Sequence, residues 1–427
     1  MVVVATTFLA GCGGKGSSSS APTNVKVVAG DTSAIVSWDM QPGVEYWVYK
    51  AAGTNVTPQN CNSIPECKTA LNVSSPTVIT GLNNGTTYSF TIDGRTGGGP
   101  GGPGSPSVSA TPRLAGGLAG TPWSASNPLG TQDLHGVAYG VPSGSTLGAF
   151  VVVGAKGALF SSTGTLSSSP DGLAWVTLTN PVPAASLNAV TYNSGRFLAV
   201  GSGGVILLST DAVTWAKQTS VTSNDLYAVS NNGTGFIATG ANGTILTSGD
   251  GATWAVVPPV TTNALYGITS GNGYFVAVGA AGTLLTSMNG VTWQTVTSLS
   301  TSDLRGVTYG VPQYYANGVL TLNQPAATFV AIGANGTLVT SPDGVTWTLR
   351  PQISTTQLNA VTYGQQFIAV DTVGSIFASI DGLTWQQAKN PTSPLYAVTH
   401  AQYFGGQYNG EYVYSAVGAS GVNLLAK

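Results

Sequence analysis

A carboxylate recurs along this sequence inside a short pattern of which "SGDGATW", residues 248–254, is one copy. Carboxylates are common general acids and bases in enzymes, so a recurring aspartate is first of all a candidate for that chemistry. The equivalent positions are Asp171, Asp211, Asp250, Asn289, Asp343 and Asp381. Asparagine cannot act as an acid or base, and a residue present in every copy cannot belong to one active site. We therefore expect a structural role, in which each side chain accepts backbone N–H bonds across a hairpin.

Carboxylates outside this pattern are scarce after residue 120. They are Asp133, Asp225, Asp303, Asp371 and Glu411. The first three directly precede a leucine, where turn formation through the aspartate side chain is the ordinary function. Three arginines follow residue 120. Arg196 lies in a turn, Arg305 early in an inner strand and Arg350 on an outer strand, so they are not expected to converge on a substrate carboxylate. Glycoside hydrolysis needs two carboxyl groups flanking one bond, and the sequence does not favour such a pair.

The composition limits the other classes of function. Only 7% of the 427 residues are charged and the net charge is −2, so the chain lacks the basic surface typical of nucleic-acid binding. With two histidines and three cysteines, no metal site is expected, and nothing indicates a cofactor. The 58 glycines and 23 prolines are typical of many short strands joined by tight turns. The composition therefore predicts an all-β protein.

An internal repeat must position the recurring carboxylates. Its opening motif, Leu-x-Ala/Gly-Val/Ile, begins at Leu134, Leu187, Leu226, Leu265, Leu304, Leu358 and Leu395. Each copy continues with an apolar segment such as "FVAVG", a tight turn and a further short segment, and all but the last then carry the carboxylate pattern. Apolar segments without polar alternation are typical of strands buried on both faces. Four short strands per copy, stacked radially, predict a seven-bladed β-propeller.

Tryptophan ends each carboxylate pattern, and the indole is expected to pack between blades. These residues are Trp175, Trp215, Trp254, Trp293, Trp347 and Trp385. The last repeat lacks the pattern, whereas Trp123 precedes Leu134 by the spacing that separates Trp293 from Leu304. We therefore expect residues 121–127 to supply the outermost strand of the last blade. Such N-to-C closure pairs two edges that are otherwise exposed.

The pattern copies, among them "SPDGVTW" and "SIDGLTW", resemble the Asp-box, or bacterial neuraminidase repeat. The longer unit "FVAVGAAGTLLTSMNGVTW" is similar to that of the photosystem II assembly factor family of seven-bladed propellers. The resemblance implies the fold but not the function, because Asp-boxes occur in sialidases, xyloglucanases, sorting receptors and assembly factors alike. That family is thought to engage its client through a patch of arginines, which this sequence lacks, so a phototrophic role is not implied.

Residues 21–112 follow a different pattern, with alternating segments such as "TSAIVSWD" and "TYSFTIDGR". They resemble a fibronectin type III domain: Trp38, Tyr46 and Val48 match core positions, and Leu82 and Tyr88 match the corner leucine and tyrosine. The resemblance implies a two-sheet sandwich that acts as a stalk. The glycine run from 94 to 104 is expected to form a long turn, and residues 113–120 a linker.

The N-terminal residues predict export. Residues 1–11 form an apolar run like the end of a signal peptide, and Leu9 to Cys12 resemble the lipobox of bacterial lipoproteins. The resemblance implies a diacylglycerol anchor on Cys12, with residues 13–20 as a flexible tether, and Gly13 implies onward transport to the outer membrane. Cys61 and Cys67 are close enough for one disulfide in an oxidising compartment.

Two sets of side chains are candidates for ligand binding. One set lies in insertions on the face of the carboxylate patterns: Tyr314, Tyr315, Tyr403, Phe404, Tyr408 and Tyr412. The other follows the opening leucines and forms a ring on the opposite face: His135, Asn188, Tyr227, Tyr266, Arg305, Asn359 and Tyr396. Neutral aromatic and amide side chains suit sugar stacking or an uncharged protein surface. Local packing of the tyrosines, and a channel lining bridged by water, are the alternative interpretations.

We therefore expect an outer-membrane lipoprotein, facing the periplasm or the cell surface, whose propeller at residues 121–427 is a non-catalytic binding scaffold for a protein or a glycan. Its membrane contact is expected through the lipid alone, and no nucleic acid, metal or cofactor is expected. A glycoside-acting enzyme and a structural component of a surface assembly are the alternatives.

Overall fold

A computed structural model describes residues 17–30, 33–53, 55–83, 86–112, 123–125, 127–163, 174–297, 299–311, 315–316, 319–320, 326–389, 393–402 and 412–426. Strands joined by turns and short 3-10 helices make up this part of the chain, so the all-β prediction is confirmed. The described residues divide into two compact units, one up to residue 112 and one from residue 123 onward, apart from the hairpin at Tyr315–Leu320.

The first unit is a sandwich of two antiparallel sheets. Its strands are β1 (Ser17–Ser18), β2 (Lys26–Gly30), β3 (Ser33–Ser37), β4 (Glu45–Ala52), β5 (Lys68–Ala70), β6 (Thr77–Thr80), β7 (Tyr88–Thr96) and β8 (Val108–Ala110). One sheet has the order β2-β3-β6, and the other has β1-β7-β4-β5 with β8 also paired to β7. A 3-10 turn at Cys61–Ser63 precedes β5.

The core of this sandwich is aromatic and aliphatic. Trp38, Tyr46, Val48 and Leu82 are buried in one cluster, and the half-buried Tyr88 packs against it. The Tyr88 hydroxyl accepts a hydrogen bond from the backbone N–H of Asn83 at 3.2 Å, which fixes the corner before β7. Inward alternation of large side chains on both sheets thus stabilises the unit.

The glycine run of the first unit turns later than the sequence predicts. Gly94 and Arg95 still belong to β7, where they pair with Tyr46 and Glu45 of β4. The strand continues because β1 adds to its other edge, with Ser18 opposite Arg95. The expected turn therefore begins only after Thr96.

The second unit contains seven four-stranded antiparallel sheets. From residue 123 onward the strands are β9 (Ser124–Ala125), β10 (Leu134–Gly140), β11 (Ala149–Gly154), β12 (Leu159–Thr163), β13 (Ala174–Thr177), β14 (Leu187–Asn193), β15 (Arg196–Gly201), β16 (Ile206–Ser209), β17 (Ala216–Lys217), β18 (Leu226–Asn231), β19 (Phe236–Gly240), β20 (Ile245–Ser248), β21 (Ala255–Val257), β22 (Leu265–Gly271), β23 (Tyr274–Gly279), β24 (Leu284–Ser287), β25 (Gln294–Val296), β26 (Leu304–Gly310), β27 (Tyr315–Ala316), β28 (Val319–Leu320), β29 (Thr328–Gly333), β30 (Leu338–Ser341), β31 (Thr348–Arg350), β32 (Leu358–Tyr363), β33 (Phe367–Asp371), β34 (Ile376–Ser379), β35 (Gln386–Lys389), β36 (Leu395–Gln402), β37 (Tyr412–Gly418) and β38 (Asn423–Ala426). Of these, β27 and β28 do not belong to the second unit.

Six of these sheets are formed by strands that follow one another along the chain; in the fifth, β27 and β28 lie between β26 and β29 in sequence but form a separate two-stranded sheet. The seventh has the order β36-β37-β38-β9, so its outermost strand comes from the beginning of the unit. First strands of successive sheets contact each other, and β10 also contacts β36. The second strands are buried on both faces, as their unbroken apolar sequences predict.

The cores of the second unit lie between neighbouring sheets. In the core between the second and third sheets, Leu198 and Val200 pack against Phe236, Leu246 and Trp254. The same arrangement recurs at the next joint, where Trp293 packs with residues of the third and fourth sheets. Each sheet is therefore stabilised by its neighbours, as expected of a repeat whose single copies cannot bury both faces.

In six of the seven sheets, a 3-10 turn joins the second strand to the third. The central residue of each turn has a positive φ: Lys156, Gly203, Asn242, Ala281, Asn335 and Ser420. Glycine and asparagine tolerate this left-handed conformation better than other residues, which explains three of the six choices.

Candidate functional site

The residue that follows each opening leucine lies at a β-bulge. In the first sheet Leu134 pairs with Gly154 and Gly136 pairs with Val153, so His135 is an extra residue without its own partner on β11. The first strands of all seven sheets show the same register shift. A bulge changes the direction of the extra side chain and is frequent beside binding sites. One side chain per sheet is positioned in this way.

These seven bulge residues line one cavity of about 600 Å³, which we call the channel mouth. They are His135, Asn188, Tyr227, Tyr266, Arg305, Asn359 and Tyr396. The residue after each bulge residue is glycine or alanine, because successive first strands approach closely. For example, a Cβ added at Gly136 would lie 3.0 Å from the Cα of Ala189. The bulges and the close strand packing together bring the whole ring into one site.

Aromatic contacts divide the channel mouth into two arcs. The ring centroids of Tyr227 and Tyr266 are 5.5 Å apart, and the guanidinium carbon of Arg305 lies 4.0 Å from the centroid of Tyr266. On the other side, the rings of His135 and Tyr396 meet edge-on at 5.9 Å. The two asparagines of the ring separate the arcs. The site thus offers flat apolar surfaces with polar groups between them, which suits an amphipathic ligand.

Hydrogen bonds between sheets orient the two asparagines. Asn188 Nδ2 donates to the carbonyl of Leu226 at 2.8 Å, and Asn359 Nδ2 donates to that of Leu395 at 2.6 Å. Gln357 Nε2 donates to Asn359 Oδ1 at 2.8 Å. Because their partners belong to the protein, these amides are preorganised before any ligand arrives.

The charges of the channel mouth are few. Burial lowers the pKa of His135, which outweighs the opposing effects of a hydrogen bond to the Leu187 backbone and of the Asp133 charge, so His135 is neutral at pH 7. Arg305 Nη2 lies 3.0 Å from Asp303 Oδ2 in a half-exposed ion pair. No carboxylate is among the described residues that line the cavity. These lining residues do not provide a pair of carboxyl groups for acid–base catalysis.

The aspartates before the opening leucines bond to a neighbouring sheet. The hydrogen bonds run from Ser420 N to Asp133 Oδ1 (3.0 Å), from Gly203 N to Asp225 Oδ1 (2.7 Å) and from Ala281 N to Asp303 Oδ1 (3.0 Å). Each amide belongs to the 3-10 turn of the adjacent sheet, so the expectation of a turn within their own segment was wrong. These three side chains therefore link pairs of sheets.

The recurring carboxylates organise the hairpin between the third and fourth strands. Asp250 Oδ1 accepts hydrogen bonds from the backbone N–H groups of Ala252 (2.8 Å) and Thr253 (2.7 Å) and from Ser248 Oγ (3.1 Å). Equivalent bonds are made by Asp211, Asn289, Asp343 and Asp381. The bonds from the amides of Thr253 and Ala252 lower the pKa of Asp250 to about 2. Its carboxylate is therefore ionised at neutral pH and cannot be a general acid there.

The tryptophans of the pattern are anchored to the same hairpins. Their indole Nε1 donates to the carbonyl of the glycine three residues earlier in four copies, at Trp254, Trp293, Trp347 and Trp385. The second copy has Ala212 in place of that glycine, and Trp215 is buried without this bond. Trp175 is half-buried and packs against the core between the seventh and first sheets.

Replacing Asp343 by alanine is expected to lower the free energy of unfolding by about 1–2 kcal/mol, because two hairpin N–H groups lose their acceptor. Asp343→Asn should cost little, since Asn289 makes the same bonds in the neighbouring sheet. Those bonds outweigh burial and lower the pKa of Asp343, so its stabilisation is present above about pH 4, the ordinary aspartate pKa, and is lost as the pH falls below it. Urea unfolding at pH 7 and pH 3 measures both effects, and an equal loss in both variants would contradict the role of the side-chain oxygen.

The other expected site residues that the structure describes lie outside the channel mouth, and the predicted disulfide is among them. Cys61 and Cys67 form a disulfide with a Cα–Cα distance of 5.4 Å in the first unit. Tyr315 begins β27, and Tyr412 begins β37 with its ring 6.0 Å from that of His400. Outside the described residues lie Cys12, Asp171, Tyr314, Tyr403, Phe404 and Tyr408.

A buried polar cluster in the first unit was missed by sequence reasoning. Arg95 Nη2 lies 2.7 Å from Asp93 Oδ2, and both side chains are almost fully buried. Tyr49 donates its hydroxyl to the same carboxylate at 2.9 Å, and the Arg95 guanidinium stacks on Trp47 with its carbon 3.2 Å from the ring centroid. Burial and then the bond to Asp93 raise the pKa of Tyr49 to about 12. Only the charged pair two residues apart in "IDGR" hinted at this cluster.

Across the described ranges, no group of three or more histidine, cysteine or acidic side chains is arranged to hold a metal ion. In the same part of the chain, no helix has both the length and the apolar character needed to cross a bilayer.

Comparisons with known proteins agree with this architecture. Residues 20–111 match the model of the fibronectin type III domain, and no curated protein matches the chain. The solved structure "YCF48 bound to D1 peptide" is 18% identical, with a TM-score of 0.53 over 74% of this chain and 99% of that chain. YCF48 from Cyanidioschyzon merolae is 16% identical, with a TM-score of 0.52 over 71% of this chain and 98% of that chain.

The WD40 beta propeller domain of Doa1 is 13% identical, with a TM-score of 0.51 over 72% of this chain and 97% of that chain. At these identities the likeness shows the fold alone. The chain thus combines a fibronectin type III domain with a unit similar in fold to β-propellers.

Proposed function

We propose that this chain is a non-catalytic binding scaffold whose channel mouth binds a segment of a partner protein. The observation that carries the proposal is the convergence of seven bulge side chains, one from each sheet, on a single cavity of about 600 Å³. The similar protein YCF48 was solved with a D1 peptide, which supports a peptide rather than a small molecule as the ligand class.

The chemistry of the channel mouth suits an uncharged peptide segment. Tyr227 and Tyr266 provide flat surfaces for apolar side chains, while their hydroxyls and the ring amides exchange hydrogen bonds with a peptide backbone. The Arg305 charge is partly neutralised by Asp303, so a strongly charged ligand gains little. Catalysis is not proposed, because the described lining residues include no carboxylate.

We further propose that the second unit is a seven-bladed propeller closed by the residues around Trp123. The pairing of β9 with β38 and the contact of β10 with β36 support this closure. The five described hairpins between third and fourth strands then share the face opposite the channel mouth, because the strands of each sheet are antiparallel.

The lipobox resemblance motivates the proposal that Cys12 carries a lipid and that the protein is exported to the outer membrane. The fibronectin type III domain then acts as a stalk between the membrane and the scaffold. Cys12→Ala is expected to move the protein from the membrane fraction to the soluble fraction of cells that express it. Unchanged membrane association of this variant would show that the anchor is not a lipid on Cys12.

Selection of random 12-residue peptides on the full chain tests the binding function. Peptides that bind the wild-type protein are expected to lose at least tenfold in affinity for Tyr266→Ala and Arg305→Ala, measured by fluorescence polarisation. Gln294→Ala, exposed on an outer strand, is the matched control and should bind as the wild type does. Selected peptides that bind both ring variants with unchanged affinity would place the protein-binding surface elsewhere.

A further inference from the structure

The first unit binds the chain soon after the cysteine that is proposed to carry the lipid. β1 pairs with the last residues of β7, with Ser17 opposite Thr96. The backbone N–H of Ser19 then donates to the carbonyl of Gly94 at 3.1 Å. Gly94 leaves room for this segment, because an added Cβ would clash with Ser19 Oγ. The flexible tether predicted for residues 13–20 therefore ends before Ser17.

The remaining tether is short. Four residues separate Cys12 from Ser17 in the sequence. The five Cα–Cα steps between these two residues span at most about 18 Å in a fully extended chain. Because β1 is antiparallel to β7, the chain that precedes Ser17 leaves the unit where β7 ends, beside Thr96. We call this end of the first unit the tether end. A lipid on Cys12 holds the tether end close to the bilayer.

The chain leaves the first unit at the opposite end. β8 pairs with the start of β7, where Ala110 is opposite Tyr88. From Tyr88 to Thr96 the strand β7 covers about 26 Å at the usual rise of a β-strand. A sandwich whose chain enters at one end and leaves at the other is suited to act as a spacer, and the short tether decides which of its two ends faces the membrane.

The tether end presents an uncharged loop with one large apolar side chain. β4 begins beside the end of β7, so residues 38–44, which connect β3 to β4, lie at the tether end. Residues 40–43, with the sequence Met-Gln-Pro-Gly, are all exposed, and Met40 is 50% exposed. Residues 97–99, which follow β7, are three glycines. Neither segment carries a charge or a bulky polar side chain that would oppose contact with a lipid surface.

A second exposed apolar side chain lies on a neighbouring segment. Leu71 follows β5 and is 55% exposed. The residues after it are fixed beside the start of β4, because the N–H of Val73 donates to the carbonyl of Tyr46 at 3.0 Å. They are also fixed to the loop, because the N–H of Ser75 donates to Met40 Sδ at 3.3 Å. Met40 and Leu71 thus belong to adjoining segments near the tether end.

The charged side chains near the tether end have both signs. Lys26 begins β2, at the end where β3 finishes. Asp39 accepts hydrogen bonds from Thr23 Oγ1 and Asn24 Nδ2. Glu45 begins β4. Without an excess of cations, this surface gains nothing from anionic lipids, so its apolar side chains suit the interface of an uncharged, zwitterionic bilayer.

We propose that the tether end of the first unit rests on the lipid bilayer, with Met40 and Leu71 in the interfacial region. The inference rests on the lipid at Cys12 proposed above. Two apolar side chains are too few to hold a protein on a membrane, but a short tether keeps them at a high local concentration beside it. The end of the first unit at Ala110 is then directed away from the membrane.

Quenching of an introduced tryptophan by brominated lipid tests the proposal. The chain from Cys12 onward is coupled to maleimide-bearing lipid in phosphatidylcholine vesicles through Cys12, the one cysteine outside the disulfide. The fluorescence of Met40→Trp, after subtraction of the wild-type signal, should fall by at least half when the acyl chains are brominated. Leu71→Trp is a second reporter with the same expected result. Ala52→Trp, at the exposed last residue of β4, is the matched control and should lose less than a tenth.

A longer tether tests whether the short one holds the surface in place. Insertion of 30 Gly/Ser residues between Gly16 and Ser17 leaves β1 intact and should at least halve the quenching of Met40→Trp. Because Cys12 is coupled chemically, the result does not depend on whether cells attach a lipid to it, which the fractionation of Cys12→Ala tests separately. The inference is overturned if both reporters are quenched no more than Ala52→Trp, or if the longer tether leaves their quenching unchanged.

Discussion

Replacing Trp123 by alanine is expected to lower the free energy of unfolding of the second unit by about 3–5 kcal/mol, the usual cost of truncating a buried tryptophan. Its side chain is 4% exposed and packs with Ile368 and Ile376 of the sixth sheet and Leu424 of the seventh. The effect is expected although Trp123 lies far from those residues in sequence, because it directly precedes β9, the outermost strand of the seventh sheet. Urea unfolding followed by circular dichroism measures it.

Two variants calibrate this experiment. Trp293→Ala removes the equivalent indole within the fourth sheet and should cost a similar amount, since that side chain is 5% exposed. Val256→Ala changes a residue that is 56% exposed and should cost less than about 0.5 kcal/mol. If Trp123→Ala unfolds like Val256→Ala while Trp293→Ala is destabilised, the closure by the N-terminal strand is wrong.

Replacing Asp93 by alanine is expected to destabilise the first unit by about 3–5 kcal/mol, because the Arg95 charge is then left buried without its partner. The side chains of Arg95 and Asp93 are 9% and 1% exposed, so solvent cannot replace the lost carboxylate without opening the fold. Tyr49 also loses the acceptor of its hydroxyl. Thermal unfolding of the full chain measures the loss. The transition whose midpoint temperature is lowered by the substitution is the one of the first unit.

A second substitution separates the charge from the packing. Arg95→Met in the Asp93→Ala background removes the unpaired charge and keeps an apolar chain on Trp47, so more than half of the lost stability should return. If the double variant is as unstable as Asp93→Ala, or if Asp93→Ala alone costs less than 1 kcal/mol, the buried ion pair does not have the role inferred here.

The periodicity of the sequence is sufficient to predict most strands of the second unit. The apolar second segments specify the second strands because these strands are buried on both faces. The opening leucines mark the first strands, and Leu134 and Leu187 are fully buried in adjacent sheets. The bounds of β7 were harder to predict, since Gly94 and Arg95 remain in the strand only because β1 and β4 pair with its two edges. A glycine-rich sequence alone indicates a turn there.

The channel mouth was predictable as a ring because its residues share one position of a repeat. The β-bulge that directs His135 into the cavity was not predictable, because it depends on the register between two strands. The bonds of Asp225 and Asp303 were misassigned for a similar reason: their amide partners come from another copy of the repeat, about 22 residues away in sequence. Local patterns indicate which residues recur but not which neighbouring copy they contact.

The pairing of Leu424 with Ala125 has a consequence for the synthesis of the protein. The strand at Ser124–Ala125 leaves the ribosome first, and its partner β38 is added only with the last residues of the unit. Closing so long a loop is entropically costly and makes folding slow. A chain that lacks β38 leaves Ser124–Ala125 unpaired, and we expect such truncated chains to be degraded as a whole rather than to persist with one sheet fewer.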